Sequence, residues 1–115
     1  MPTRSYRKPS LIDIERVNAI GGLDSPDICR ILDAFISDLG GYLPLIERLR
    51  DEESTLELLA TLHKLAGSAR TCGFAGIDRA AALWDNSNNP YKASLYSNLR
   101  KTIETSTEEW QKMRA

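Results

Sequence analysis

Apolar residues recur every three or four positions along almost the whole 115-residue chain. This spacing is typical of amphipathic helices, because about 3.6 residues per turn places such side chains on one face. The longest apolar stripe consists of Ile28, Leu32, Phe35, Leu39, Leu43, Ile46 and Leu49. No segment alternates for long with the period of two that strands require, and no Asn-Gly or Asp-Gly pair marks a hairpin. The sequence therefore predicts an all-α protein.

Capping residues indicate where the first two predicted helices begin and end. Ser10 with Asp13 resembles a capping box for a short first helix, which the glycine pair 21–22 would close. Ser25 can cap the second helix, with Pro26 in its first position. The apolar stripe described above would then lie on this second helix.

Glycine and proline residues interrupt the second helix and delimit the third. The glycine pair 40–41 and Pro44 predict a kink or a brief break, because proline lacks the N–H that would bond to the carbonyl of residue 40. Ser54 and Glu57 form another capping box, S-T-L-E, at the start of the third helix. Gly73 is well placed to end that helix.

Two further helices complete the predicted fold. The fourth covers residues 74–85, and the loop NSNNP leads to the fifth, with Asn89 as its cap and Pro90 in its first position. Four long amphipathic helices joined by short loops predict an antiparallel up-down four-helix bundle, with the short additional N-terminal helix covering one end. The expected domain covers residues 10–115 and follows a flexible basic arm over residues 1–9.

Composition narrows the classes of partner and compartment. Fifteen basic and sixteen acidic residues give a net charge of -1, which argues against nucleic acid, because phosphate binding normally needs a clustered basic excess. Cys29 and Cys72 are the only cysteines, and we expect small buried thiols in a reducing compartment. No apolar run approaches the length of a membrane span. We therefore expect a cytoplasmic domain without direct membrane contact.

The single histidine, His63, lies beside the core-facing stripe of the third helix. That stripe consists of Leu58, Leu62, Leu65, Ala69 and Cys72. His63 follows Leu62, which places it about 100° around the helix and outside the stripe. Its neighbours three and four positions away are Leu59, Ala60, Ala66 and Gly67. Because three of these four are small, the imidazole is predicted to stand on a flat surface.

Gly67 gives this surface its functional interpretation. A glycine in a helix interior costs about 1 kcal/mol relative to alanine, and here it would let the backbone of another protein approach the imidazole. Lys64 and Arg70 flank the site, and the Ser68 hydroxyl follows Gly67. An imidazole nitrogen with a free lone pair can act as a nucleophile. Two simpler interpretations stay open: an ordinary surface histidine, and a Gly67 that serves close helix packing.

These residues resemble the signature of histidine-containing phosphotransfer (HPt) domains. In that pattern the histidine is followed by Leu at +2, Lys at +3, Gly at +4, Ser or Ala at +5 and Gly at +10. The matching residues here are His63, Leu65, Gly67, Ser68 and Gly73. The stretches LDAFISDL and GFAGIDRAAALWD are similar to the flanking helices of the family, so that the resemblance covers about residues 11 to 113. The lysine at +3 is Ala66 in this chain, and the resemblance leaves either Lys64 or Arg70 to replace it.

The resemblance implies a phosphorelay intermediate. His63 would accept a phosphoryl group from the aspartyl phosphate of a receiver domain and pass it to another receiver, the response regulator. The implied supporting residues are Lys64, Gly67, Ser68 and Arg70, and the implied docking residues are Ala60, Ala66, Gly67, Asp38 and Tyr42. No cofactor or metal is expected on this chain, since the Mg²⁺ belongs to the partner receiver. A monomer is expected for the isolated domain.

Alternatives from other classes lead to different predictions. A non-phosphorylated helical protein-interaction module would use His63 only as part of a binding surface. A thiol enzyme is disfavoured because Cys72, nine residues from His63, lies about 13 Å along the same helix. No kinase activity of its own is expected, because the chain has no glycine-rich loop or nucleotide-binding fingerprint. The basic, proline-containing start and the abrupt end favour a domain excised from a hybrid sensor histidine kinase slightly over a freestanding protein.

Overall fold

The computed structural model describes residues 10–114, which form five helices and no strand. The helices are α1 (Ile14–Ala19), α2 (Pro26–Asp51), α3 (Thr55–Cys72), α4 (Ala75–Asp85) and α5 (Ala93–Arg114). The predicted all-α class is therefore confirmed. The basic arm predicted over residues 1–9 lies outside the described residues.

The short helix α1 begins later than its predicted cap. Asp13, not Ser10, is the N-cap residue, and its carboxylate accepts a hydrogen bond from the backbone N–H of Arg16 at 3.1 Å. The prediction for Ser10 was wrong because its hydroxyl donates instead to Glu109 on α5, at 2.6 Å. The glycine pair 21–22 follows the helix with positive φ angles, as its predicted role as a terminator requires.

The start of α2 agrees with the prediction, and its middle is helical throughout. The Ser25 hydroxyl accepts a hydrogen bond from the backbone N–H of Ile28, and Pro26 is the first helical residue. The predicted break is absent, because α2 continues through Pro44 for 26 residues. Gly40 and Pro44 are both exposed, so water can hydrogen-bond to the carbonyl that proline leaves without a donor.

Two other predicted caps differ in the structure. Ser54 occupies the N-cap position of α3 but makes no side-chain capping bond, so the predicted box with Glu57 does not form. Helix α5 begins at Ala93, three residues after Pro90, because the Pro90 carbonyl accepts a hydrogen bond from the indole of Trp84 at 2.7 Å. The α3 terminus is as predicted, since Gly73 has a left-handed conformation with φ of 85°.

The core lies between the four long helices and is almost entirely apolar. The whole predicted α3 stripe is buried, as are both cysteines. Phe74, between α3 and α4, packs its ring against Phe35 of α2 and Trp110 of α5, with centroid distances of 5.1 Å and 6.0 Å. This aromatic cluster joins all four long helices at one level of the core.

Contacts at both ends of α2 and α5 show that these helices run in opposite directions. The Tyr96 hydroxyl near the start of α5 donates to Glu47 near the end of α2, at 3.0 Å. The Trp110 indole near the end of α5 donates to Asp33 near the start of α2, at 2.7 Å. Helices α2, α3, α4 and α5 each pack against the next, and α5 also contacts α2. These contacts support the predicted bundle.

Candidate functional site

His63 stands on the outer surface of α3, immediately after the buried Leu62. Its side chain is 84% exposed, as the offset from the core stripe predicts. The ring nitrogen Nδ1 lies 3.4 Å from a carboxylate oxygen of Asp85, the last residue of α4. The imidazole is therefore open to a partner on one side and faces a carboxylate on the other.

Two contacts connect α3 to α4, and in each a nitrogen-containing side chain of α3 faces an aspartate of α4. The Arg70 guanidinium donates to both oxygens of Asp78, at 3.1 Å and 3.2 Å. His63 and Arg70 are seven residues apart on α3, and Asp78 and Asp85 are seven apart on α4. Both pairs therefore follow one antiparallel register, since seven residues correspond to about two helical turns.

Sequence reasoning missed Asp85, because no pattern in the sequence alone connects this residue to His63. The residue is 22 positions from His63, so no helical spacing relates the two. Once Arg70 and Asp78 are paired across antiparallel helices, a step of two turns along each helix leads to His63 and Asp85. The register of the bundle is needed before this inference can be made.

A shallow groove of about 560 Å³ runs along α3 beside His63. It is lined by His63, Lys64, Gly67, Ser68, Thr71 and Cys72. A Cβ atom built on Gly67 would have no heavy atom of another helix or side chain within 4 Å. Close helix packing is therefore not the reason for Gly67, and this alternative is contradicted. Burial raises the pKa of the Cys72 thiol, which makes it a poor nucleophile.

The two basic residues predicted to support His63 have different environments. The guanidinium of Arg70 is bound to Asp78, whose hydrogen bonds and negative charge raise the pKa of Arg70. The positive charge of Arg70 is therefore already paired with a carboxylate. Lys64 has no carboxylate at ion-pair distance within residues 10–114. Its side chain is exposed, and it is the cation available beside the histidine.

A second groove lies between α2 and α3 and brings together part of the predicted docking surface. Its volume is about 360 Å³, and Asp38, Gly41, Tyr42, Leu45, Thr61 and Lys64 line it. Ala60 is exposed and Gly67 half-buried, so both are accessible to a partner. Ala66 is only 4% exposed, and its predicted docking role was wrong. The core-facing side of α3 is wider than one stripe, because the helix packs against both α2 and α4.

The comparison with protein families identifies the fold. A family model described as the Hpt domain matches residues 30–111, more than half of the chain. The chain belongs to the Hpt domain family. The resemblance seen in the sequence is thereby confirmed. No curated protein and no solved structure matched the chain.

Membership in the Hpt family establishes a general role. An Hpt domain acts in histidine phosphotransfer in two-component signalling and interacts with receiver domains. None of the helices within residues 10–114 combines the length and apolar character that crossing a bilayer demands. In the same part of the chain, no group of three histidine, cysteine, aspartate or glutamate side chains is arranged to hold a metal ion.

Proposed function

We propose that His63 is the phosphoacceptor of this Hpt domain. It receives a phosphoryl group from the aspartyl phosphate of one receiver and passes it to another receiver, a response regulator. The observation that carries this proposal is the placement of the only histidine in the chain. It lies within the range matched by the family, on a helix surface where its side chain is 84% exposed.

Lys64 is proposed to provide the positive charge beside the phosphorylated ring. The phosphoryl group carries negative charge that a nearby ammonium stabilises. Lys64 is favoured over Arg70 because Arg70 is already paired with Asp78, whereas Lys64 is free of such a partner within the described residues. The Ser68 hydroxyl lines the same groove and can donate a hydrogen bond to a phosphoryl oxygen.

The receiver is proposed to dock on the adjoining outer surfaces of α3 and α2. The space over Gly67 lets its backbone approach the imidazole, and such positioning accounts for much of the rate of phosphoryl transfer. Ala60, Asp38 and Tyr42 extend this surface toward α2. The receiver brings the Mg²⁺ and the acidic residues, so this chain contributes the nucleophile and the docking surface.

The phosphoacceptor is tested by intact mass after exposure to phosphoramidate, and separately to phosphorylated receiver domains. The expected result is one added phosphoryl group, labile to acid and stable to base, that is absent from His63→Gln. Ser68→Ala is the matched control, because a serine phosphate beside the same groove would be stable to acid. Modification that persists in His63→Gln contradicts the assignment. No modification from any donor would favour a helical protein-interaction module instead.

A further inference from the structure

The carboxylate of Asp85 is directed at His63 and at no other side chain of the described residues. Within residues 10–114, its one hydrogen-bond and ion-pair contact is with His63 Nδ1, at 3.4 Å. The Asp85 side chain is 21% exposed, whereas the imidazole is 84% exposed. The distance is at the long end for an N–H···O bond, and such contacts commonly shorten when the reacting complex forms.

We propose that Asp85 is a positioning residue that keeps a proton on Nδ1 of His63 throughout the phosphotransfer cycle. This inference rests on the proposed role of His63 as phosphoacceptor. A carboxylate can only accept a hydrogen bond from the ring. The ring nitrogen that faces Asp85 must therefore carry the proton, and the lone pair is left on the exposed nitrogen Nε2.

The accepting step then needs no exchange of protons with water. The lone pair of Nε2 forms a bond to phosphorus while the bond from phosphorus to the receiver aspartate breaks, and that electron pair leaves with the aspartate oxygen. The ring now has phosphorus on Nε2 and the original proton on Nδ1, so it carries a positive charge. The negative charge of Asp85 stabilises this form of the ring.

The retained proton determines how easily the phosphoryl group leaves. When an acceptor oxygen bonds to phosphorus, the N–P bond breaks and its electron pair returns to Nε2. With the proton on Nδ1, the leaving group is neutral imidazole. Without that proton the leaving group is an imidazolate anion, which is a much poorer one. Asp85 thus keeps the phosphorylated domain in the form that can pass the group on.

Within residues 10–114, charged groups on three helices lie on the side of the bundle that carries the imidazole. On α3 they are Lys64 and Arg70, on α4 they are Asp78 and Asp85, and on α2 Asp38 lies across the groove from Lys64. Because Asp78 is bound to Arg70 two helical turns away, Asp85 is the one carboxylate in contact with the ring within the described residues. Its effect can therefore be isolated with a single substitution.

The tautomer of the resting domain is the first test, measured by nitrogen-15 NMR of the imidazole. His63 is the only histidine, so that every imidazole signal belongs to it. The wild-type domain is expected to show hydrogen on Nδ1 and a free lone pair on Nε2, and Asp85→Ala should increase the Nε2–H form. A wild-type ring that carries its hydrogen mainly on Nε2 would overturn the inference without any variant.

The second test measures how long the phosphoryl group survives at different pH values, with water as the acceptor. The domain is loaded with phosphoramidate, freed of donor, and followed by intact mass from mildly acidic to mildly alkaline pH. Asp85→Asn retains an acceptor for the Nδ1 hydrogen but removes the charge. The curve of its rate of phosphoryl loss against pH should lie about one pH unit below that of the wild type. Above the transition, the variant should therefore lose its phosphoryl group about tenfold more slowly.

Asp78→Asn is the matched control, because it makes the same change on the same helix beside Arg70. Its profile should coincide with that of the wild type. The role of Asp85 would be refuted if the curves of Asp85→Asn and wild type coincided. It would also be refuted if Asp78→Asn shifted the curve by the same amount as Asp85→Asn. The proposed function has its own test. It would fail if the mass experiment showed a phosphoryl group on His63→Gln as well as on the wild type.

Discussion

Replacing Gly67 by alanine is expected to stabilise the isolated domain and to slow phosphotransfer with a receiver. Alanine is favoured over glycine in a helix interior by about 1 kcal/mol. The added methyl group would have no heavy atom of another helix or side chain within 4 Å, so no packing penalty opposes this gain. For a domain of this size, a gain of 1 kcal/mol raises the midpoint of thermal unfolding by about 4–8 °C.

The functional effect is expected to have the opposite sign. In the docked complex, the methyl group would occupy the space that the receiver backbone needs, and overpacking by one methyl costs about 1–3 kcal/mol. Transfer from a phosphorylated receiver should therefore slow by about fivefold to 150-fold. Phosphoramidate is small and does not need the docking surface, so its rate should stay within about twofold. Denaturant unfolding measures the stability of the variant, and intact mass over time measures its rates of phosphorylation by a receiver and by phosphoramidate.

Gly40→Ala is the matched control for Gly67→Ala. Gly40 also lies inside a long helix, is exposed, and has space for a Cβ atom. It lines a groove shared with Ile103 of α5, on a different side of α2 from the groove with Lys64. The control should gain similar stability without losing transfer. Equal receiver rates in Gly67→Ala and wild type would refute the interpretation of Gly67, as would a loss of stability.

Three further predictions concern charge and backbone conformation. Lys64→Ala should slow phosphorylation of His63 by a receiver about fivefold. Arg70→Ala should change this rate less than about twofold, because Arg70 is already bound to α4. Quenched-flow measurements of the transfer rate would show which cation matters. Hydrogen bonds from Arg114 and Trp110 lower the pKa of Asp33. Their contribution to stability is therefore present above the unfolded-state pKa of 3.8 and is lost as the pH falls through the lower folded-state pKa. The thermal unfolding midpoints of wild type and Asp33→Asn should converge in that acidic range. Gly73→Ala should destabilise the domain by more than about 1 kcal/mol in urea unfolding, because φ is 85° there and a Cβ would lie 3.0 Å from a side-chain atom of α1.

The helix ends that depend on neighbouring residues alone could be predicted from the sequence. Ser25 and Pro26 start α2 and Gly73 ends α3 as expected, because a cap or a left-handed glycine acts within a few residues. The prediction failed at Ser10 and Pro90, where tertiary contacts determine the conformation. Ser10 bonds to Glu109, and Pro90 accepts a hydrogen bond from Trp84. Neither partner could be identified before the helices were packed.

The candidate site shows the same division between local and tertiary information. The exposure of His63 follows from its offset from the apolar stripe, and the open space at Gly67 agrees with its predicted role as a place of close approach. The burial of Ala66 depends on α3 packing against two helices, which one stripe does not reveal. Asp85 depends on the register between α3 and α4 and has no signal of its own.

That register must come from the core more than from the ion pairs that cross it. The Arg70 side chain is 69% exposed, and exposed pairs contribute only about 0–1 kcal/mol. Leu62 and Leu65 of α3 and Ile77 of α4, by contrast, are fully buried, and burying a large apolar side chain contributes about 1.5–3 kcal/mol. The position of Asp85 relative to His63 is therefore mainly a consequence of the buried core and not of the exposed ion pairs. Breaking the Arg70–Asp78 pair should leave that contact in place, which is why Asp78→Asn can serve as a control.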